Sequence, residues 1–454
     1  MSLPGLQLSA PSEPVVASAI HELNQNTEWR FETAFGSHVE VKLLSGTAEI
    51  FGTELAIKQP YTFNGTKAAV YTWHGCRIEV TGECLVEYIA EENPMISYAN
   101  THFALEQLRG KAILEGREGP RVMVLGPENA GKTSLVKILT AYATRTGRQP
   151  VVVNLDTKEG MLSIPGSLSA SAFSSIIDVE GGWGSSPTNG PSQVPVKLPL
   201  VYYYGLANPE ENTKIYKPVT TRLALSVMSR LQEDQEAKEA GCIVDTPGVI
   251  SQGKGNYEVI QHIVSEFAIN VIIILGSERL SSDMVRKFNG QKTSTDDTIT
   301  VLKLDKSGGC VDRDESYLKQ YCQAQIREYF FGDSKITLSP HTQQVDFNQV
   351  TIYKLAEPNP VLTSLLPGGD PDDSPFPPPS STKSPLLRLA TQHPRPHARR
   401  RERHPRKHPR RQRHRLRVRR RSRREEEKAA GPGTPERETA KPGHGMGHLA
   451  GRGH

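Results

Sequence analysis

Gly126-Pro127-Glu128-Asn129-Ala130-Gly131-Lys132-Thr133 decides how this chain is read. The octapeptide fits G-x-x-x-x-G-K-[ST], and it lies between an apolar strand, Arg121–Leu125, and a helix, Lys132–Thr144. The spacing has a mechanical reason: glycines let successive backbone N–H groups wrap phosphates, and the helix points its positive dipole end at them. Lys132 would neutralise the β- and γ-phosphates, and the Thr133 hydroxyl would ligate Mg²⁺. Gly126, Asn129, Ala130, Gly131, Lys132, Thr133 and Ser134 are therefore the candidate nucleotide-binding residues.

Two acidic residues follow at strand ends. Asp245 closes Gly241–Asp245, where a carboxylate would hold Mg²⁺ together with Thr133. Asp156 closes Val151–Leu155, and a carboxylate there faces the phosphates across the crevice at the strand ends. It could orient an attacking hydroxyl. The plainer alternative for both is a turn or helix-capping aspartate. Asp245-Thr246-Pro247-Gly248 raises a GTPase-type switch, but Lys303-Leu304-Asp305-Lys306 has the wrong order for guanine selection, so adenine is preferred.

Outward from the loop, strands alternate with helices: strand Leu198–Tyr204, helix Arg222–Leu231, strand Gly241–Asp245, helix Tyr257–Phe267 and strand Val271–Leu275. The pattern implies a parallel sheet covered on both faces, and the continuous apolar runs suit buried strands. Residues 19–100 read differently. Short runs such as Glu28–Phe35, His38–Leu44, Lys67–Trp73 and Arg77–Val80, separated by glycine-containing turns, predict a small all-β sandwich. The division is a flexible segment 1–18, a β-sandwich 19–100, a P-loop α/β domain 101–332, a partial β-rich domain 333–369, and a disordered tail 370–454.

Composition bounds the function. The chain has 454 residues, 36% hydrophobic and 6% aromatic. Between Arg395 and Arg424 stand 17 Lys and Arg against one acid, so that the overall +5 describes a basic tail on an acidic body. Such a body disfavours tight, sequence-independent RNA binding. The longest apolar run, Val271–Leu275, is far short of a membrane span of roughly 20 residues, and the first residues lack a secretory pattern. Five scattered cysteines without a C-x-x-C pair suit a reducing compartment, cytosolic or nuclear. His262 and the Tyr202-Tyr203-Tyr204 run are read as packing residues rather than as catalytic or base-stacking groups.

Further segments carry a resemblance. Asn154-Leu155-Asp156, Ser163-Ile164-Pro165-Gly166, Gln261-His262-Ile263-Val264, Lys306-Ser307-Gly308-Gly309 and Ile326–Gly332 resemble the polynucleotide 5′-hydroxyl-kinase family. Within it they are most similar to the branch of fungal ATP-binding subunits of mRNA cleavage factor IA. The likeness spans about residues 20–355 and implies the same three domains, with ATP and Mg as cofactors. It implies that the N-terminal domain helps hold adenine, through Glu28 in Thr27–Arg30 and Lys67 in Gly65–Val70. Without the resemblance both read as exposed strand charges. The implied partner is the cleavage-factor subunit that also binds the RNA polymerase II C-terminal domain. Pre-mRNA is reached through the complex, with neither membrane nor DNA involved, in the nucleus.

The family contains active RNA 5′-hydroxyl kinases as well as members that bind ATP without turnover. Active members resemble T-C-G-W where this chain has Thr246-Pro247-Gly248-Val249, and a stacked tryptophan is worth roughly 1–3 kcal/mol per base. They carry two arginines five residues apart, where this chain has Arg313 and then Leu318. They resemble G-Q-G after the aspartate, where this chain has Thr157-Lys158-Glu159-Gly160. Ground-state contacts are kept and transition-state contacts are missing, a combination that binds ATP and turns it over poorly. Asp156 and Arg313 would be catalytic in the kinase alternative; an ATPase-driven switch is the third class. The tail reads as a localisation or RNA-binding extension, as an inert solvated segment or, preferably, as an out-of-frame GC-rich continuation. Tryptic peptides of native protein from beyond residue 385 would contradict that last reading.

Overall fold

Strand β2 (Thr27–Glu32) shows how this fold makes room for a site. Trp29 and Phe31 point into a sandwich core, while Glu28 and Arg30, two residues apart, share the opposite face. Nearly every residue of β2 is nonetheless buried, because that second face meets another layer of protein. The computed structural model describes residues 18–183, 199–332, 337–345 and 416–418.

Around β2 the sandwich contains β1 (Ser18–Leu23), β3 (Val39–Gly46), β4 (Glu49–Ile50), β5 (Thr53–Glu54), β6 (Pro60–Phe63), β7 (Lys67–Thr72), β8 (Cys76–Thr81) and β9 (Val86–Ala90). Among the described residues they form a four-stranded sheet, β1-β8-β3-β6, and a five-stranded sheet, β5-β4-β7-β2-β9. Inward positions alternate with outward ones along β3 and β8, and Trp29, Phe31, Val41, Phe63, Ile78 and Val80 fill the space between the sheets. Trp29 and Phe31 stack at 4.5 Å, and Phe31 meets Phe63 edge-on.

Helix α1 (Met95–Leu114) leads into the second layer. There follow β10 (Arg121–Leu125), α2 (Lys132–Arg145), β11 (Val151–Asn154), β12 (Ser167–Ala172), β13 (Leu200–Tyr203), α3 (Thr213–Glu233) and α4 (Gln235–Ala240). The layer continues with β14 (Cys242–Asp245), α5 (Glu258–Glu266), β15 (Val271–Leu275), α6 (Glu278–Phe288), β16 (Thr300–Leu304) and α7 (Glu315–Phe331). The sheet order is β13-β12-β11-β14-β10-β15-β16.

From β11 to β16 every neighbouring pair is parallel, as the alternation of strands and helices implies. At the other edge the sheet departs from that expectation: β12 and β13 add antiparallel, so β13, which falls within the run read as a strand, is an antiparallel edge strand. Strand β12 (SLSASA) is buried throughout, yet with Leu168 as its one bulky side chain it carries little hydrophobic signal in the sequence. Helix α3 begins nine residues before the Arg222–Leu231 helix that periodicity suggests; Pro218 falls in its second turn.

These elements belong to one unit, Met1–Ser339 with Leu355–Ser374. The second unit is Pro340–Lys354 with Pro375–His454, in which β17 (Gln343–Val345) pairs antiparallel with β18 (Leu416–Val418). The strand expected at Val350–Leu355, the first half of the one at Lys335–Leu338, residues 1–17 of the segment 1–18 expected to be flexible and the rest of the Arg-rich tail lie outside the described residues, while Ser18 opens β1.

Candidate nucleotide site

At the phosphate end, β10 is buried at all five positions and delivers the loop at the sheet's carboxyl edge. Two glycines are required there. Gly126 has φ +156°, and a Cβ on it would stand 2.8 Å from the Leu275 carbonyl oxygen. Gly131 has φ +85°, and a Cβ would lie 2.6 Å from Cys310 Sγ. Asn129 also takes a left-handed backbone, φ 56°.

The Lys132 ammonium donates to Pro127 O at 2.8 Å. Burial pushes its pKa down, against the pull of Asp245, Asp156 and Glu159. Thr133 Oγ1 donates to Asp245 Oδ2 at 2.6 Å. Asp245 is 3% exposed, and burial raises its pKa to about 7 although Thr133 and Lys132 lower it. Its other oxygen, Oδ1, is buried without a partner among the described residues. An unsatisfied carboxylate oxygen beside a helix-start threonine suits a magnesium ion, which takes one or two carboxylates and completes its shell with phosphate and water.

The facing wall is the turn after β11 and the segment before α7. Asp156 Oδ1 accepts from the Lys158 amide at 2.9 Å, and burial, with Glu159 nearby, raises its pKa. The Lys158 ammonium pairs with Glu128 of the loop at 2.5 Å. Arg313 donates through Nε to Asn129 Oδ1 at 3.1 Å and pairs with Glu159 at 2.5 Å. Burial works against the Arg313 charge, but the Glu159 carboxylate more than offsets it and holds the guanidinium above its ordinary range. Leu318 and Val249 line the same cavity.

The third wall is the sandwich. Glu28, 5% exposed, accepts from Arg30 Nε at 2.5 Å, and burial raises its pKa in spite of that arginine. Arg30 also donates to Glu92 O at 2.8 Å and covers the Tyr88 ring. Ser307–Cys310 passes close by: a Cβ on Gly309 would stand 2.8 Å from Arg30 Nε. Lys67 bonds across the strands to Glu32 at 2.5 Å and lies 5.2 Å from the centre of the Tyr317 ring. The Tyr317 hydroxyl donates to Gly65 O at 2.9 Å, so α7 is tied to the sandwich.

These walls enclose a cavity of about 1040 Å³. It brings together Glu28, Lys67, Asn129, Ala130, Gly131, Lys132, Thr133, Ser134, Asp156 and Arg313; Asp245 reaches it through its bond to Thr133, and Gly126 lies at the base of the loop. Glu28 and Lys67 are inward-facing and paired rather than exposed strand charges. The packing readings hold for His262, whose Nε2 lies 3.1 Å from Lys217 O, and for Tyr204, which is buried; Tyr203 stays 66% exposed on the edge strand. Sequence reasoning passes over Arg30, Lys137 and Tyr317. The i, i+2 spacing of Glu28 and Arg30 and the i, i+4 spacing of Thr133 and Lys137 were the available signals.

Comparison with known proteins places these observations. Residues 126–332 match the family model described as the mRNA cleavage and polyadenylation factor CLP1 P-loop, and residues 22–112 match the N-terminal beta-sandwich domain of polyadenylation factor. The mRNA cleavage and polyadenylation factor clp1 of Botryotinia fuckeliana is 62% identical over 381 residues, covering 83% of this chain and 82% of the relative. Its namesake from Aspergillus niger is 56% identical over 383 residues, covering 78% and 79%. Among solved structures, a wild-type Clp1p–Pcf11p complex aligns with a TM-score of 0.67 at 30% identity, covering 73% of this chain and 77% of that one. A second, also at 0.67 and 30%, covers 74% and 78%; it describes an extended Pcf11p–Clp1p interface and the basis of ATP loss in a glycine-to-arginine mutant.

Proposed function

Because this chain belongs to the Clp1 family of mRNA cleavage and polyadenylation factors, we propose that it is the ATP-binding scaffold subunit of a pre-mRNA cleavage complex. In that role it serves endonucleolytic cleavage and polyadenylation in the nucleus. The observation that carries the reading is the cavity, walled on one side by β2 and β7 of the sandwich and on the other by the P-loop and α7. A ligand that binds only this closed arrangement stabilises it by mass action and needs no chemistry to do so.

Lys132, the loop amides and the start of α2 would hold the phosphates, while Glu28 and Lys67 face the base side. Thr133 and Asp245 would hold magnesium, which when bound supplies charge neutralisation to the phosphates. Turnover is poor in this reading because the charges opposite the loop are matched to each other. Arg313 is engaged by Glu159 and Asn129, Lys158 by Glu128, and the position implied for a second arginine is Leu318. An arginine acting on the transferring phosphoryl group is worth about 10³–10⁵ in rate in related chemistry, so its diversion is a sufficient reason.

The partner we propose is the Pcf11-type cleavage-factor subunit, which also binds the RNA polymerase II C-terminal domain and brings this chain to pre-mRNA. The test is partner affinity with and without ATP–Mg²⁺. ATP should tighten the complex, and Lys132→Ala should remove that gain. Equal affinity in all conditions would overturn the scaffold role of the nucleotide.

A further inference from the structure

Lys137 projects from α2 one turn beyond Thr133 and lines the same cavity. Side chains on a helix lean toward its N-terminus, so a residue at this position covers the turn that carries Thr133. Its ammonium lies 5.4 Å from the centre of the Phe51 ring, contributed by the sandwich, and 5.5 Å from that of Trp183. Among the described residues it has no carboxylate or carbonyl partner. Lys132, by contrast, bonds to Pro127 O, and Arg313 bonds to Glu159.

A desolvated ammonium set against two ring faces and Gly182, where a Cβ would stand 2.6 Å from Nζ, is poorly compensated, since cation–π attraction is weaker than a charge-assisted hydrogen bond. Burial accordingly presses its pKa down, while Glu159 and Asp245 act on it in the opposite sense and Arg313 adds to the burial. Thr133, Glu159 and Arg313 line the same cavity as Lys137, and Asp245 is bonded to Thr133, so Lys137 shares the phosphate end where charge beyond the β-phosphate would sit. Phe51 and Trp183 flank the nitrogen itself, and Lys137 and Phe51 both line the cavity.

We infer that Lys137 is a further phosphate-binding cation, directed at the terminal phosphate of a nucleoside triphosphate, and that it lets the site prefer a triphosphate to a diphosphate. The inference rests on the nucleotide-site reading and goes beyond it by assigning the terminal phosphate its own residue. Lys137 acts on binding and not on a bond-making step.

The test is calorimetric titration of the full chain with ATP–Mg²⁺ and with ADP–Mg²⁺, for wild type, Lys137→Met and Lys137→Arg. Met keeps an unbranched stem between the rings, and melting without nucleotide checks that the variant folds. Lys137→Met should weaken ATP by about ten-fold or more, the size of one charge-assisted hydrogen bond, while ADP changes less than about two-fold. Lys137→Arg should recover most of the preference. Equal losses for both nucleotides, or no loss for either, would overturn the assignment. Failure of the wild type to bind either nucleotide would instead remove the nucleotide-site reading, and this inference with it.

Discussion

The two ends of the phosphate region are built on opposite principles. At the P-loop end, residues 128–134, Lys132 among them, line the cavity, and Oδ1 of Asp245 beside them has no partner among the described residues. At the Asp156 end, charged groups are matched to each other: Arg313 to Glu159, and Lys158 to Glu128. The first end holds a ligand. The second closes the walls around it and leaves little free charge for a transition state. Binding energy expressed equally in ground and transition states does not raise turnover, so the contrast is what the proposed scaffold role rests on.

The largest expected effect breaks the first end. Gly131→Arg places a side chain on a backbone at φ +85°, where even a Cβ meets Cys310 Sγ at 2.6 Å. Nucleotide binding should fall by about a hundred-fold or more, because the loop must shift and its amides lose their aim. Calorimetry reads the affinity directly. A variant that binds ATP normally would mean that the phosphates lie elsewhere.

A smaller effect sharpens the second end. Glu159→Gln removes the carboxylate that engages Arg313 but keeps a side chain of the same shape. Basal ATP hydrolysis should rise by about ten-fold, well below the 10³–10⁵ that a fully committed arginine supplies. Glu159→Gln/Arg313→Ala should return to the wild-type level. An unchanged rate in the single variant would show that the ion pair is not what restrains turnover.

The smallest effect concerns the scaffold beneath both ends. His102 on α1 is 4% exposed, its Nδ1 has no partner among the described residues, and its ring meets Tyr142 of α2 edge-on at 5.5 Å. Burial, helped by Arg109, lowers its pKa to about 4. The unfolded chain takes up a proton near pH 6.5 that the fold refuses until about pH 4. Its contribution is therefore full above pH 6.5 and is lost as pH falls toward 4. Denaturant midpoints measured across that range should decline, and His102→Gln should flatten part of the decline. A parallel decline in the variant would assign the acid sensitivity to other groups.

The same contrast governs what could be read in advance. The P-loop end is contiguous in sequence, and its rule couples spacing to backbone geometry, so eight residues announced both strand and helix. Asp245 was legible because the end of a buried strand at that place has few roles. The other end depends on pairs far apart in the chain, such as Glu159 with Arg313, 154 residues later, which no local pattern displays. Glu28 became a candidate through family likeness alone, since the second buried face of β2 appears only when the P-loop layer packs on it. Strand β12 escaped because Ser and Ala fill a tightly packed position without an apolar signature.

The central claim is tested most directly by incubating the full chain with γ-labelled ATP, Mg²⁺ and a 5′-hydroxyl RNA, beside a Lys132→Ala control. The account predicts no label in the RNA above the control, and intact ATP recovered when the wild-type protein is denatured. Label transferred to the RNA 5′ end above that control would contradict it and make this site a kinase.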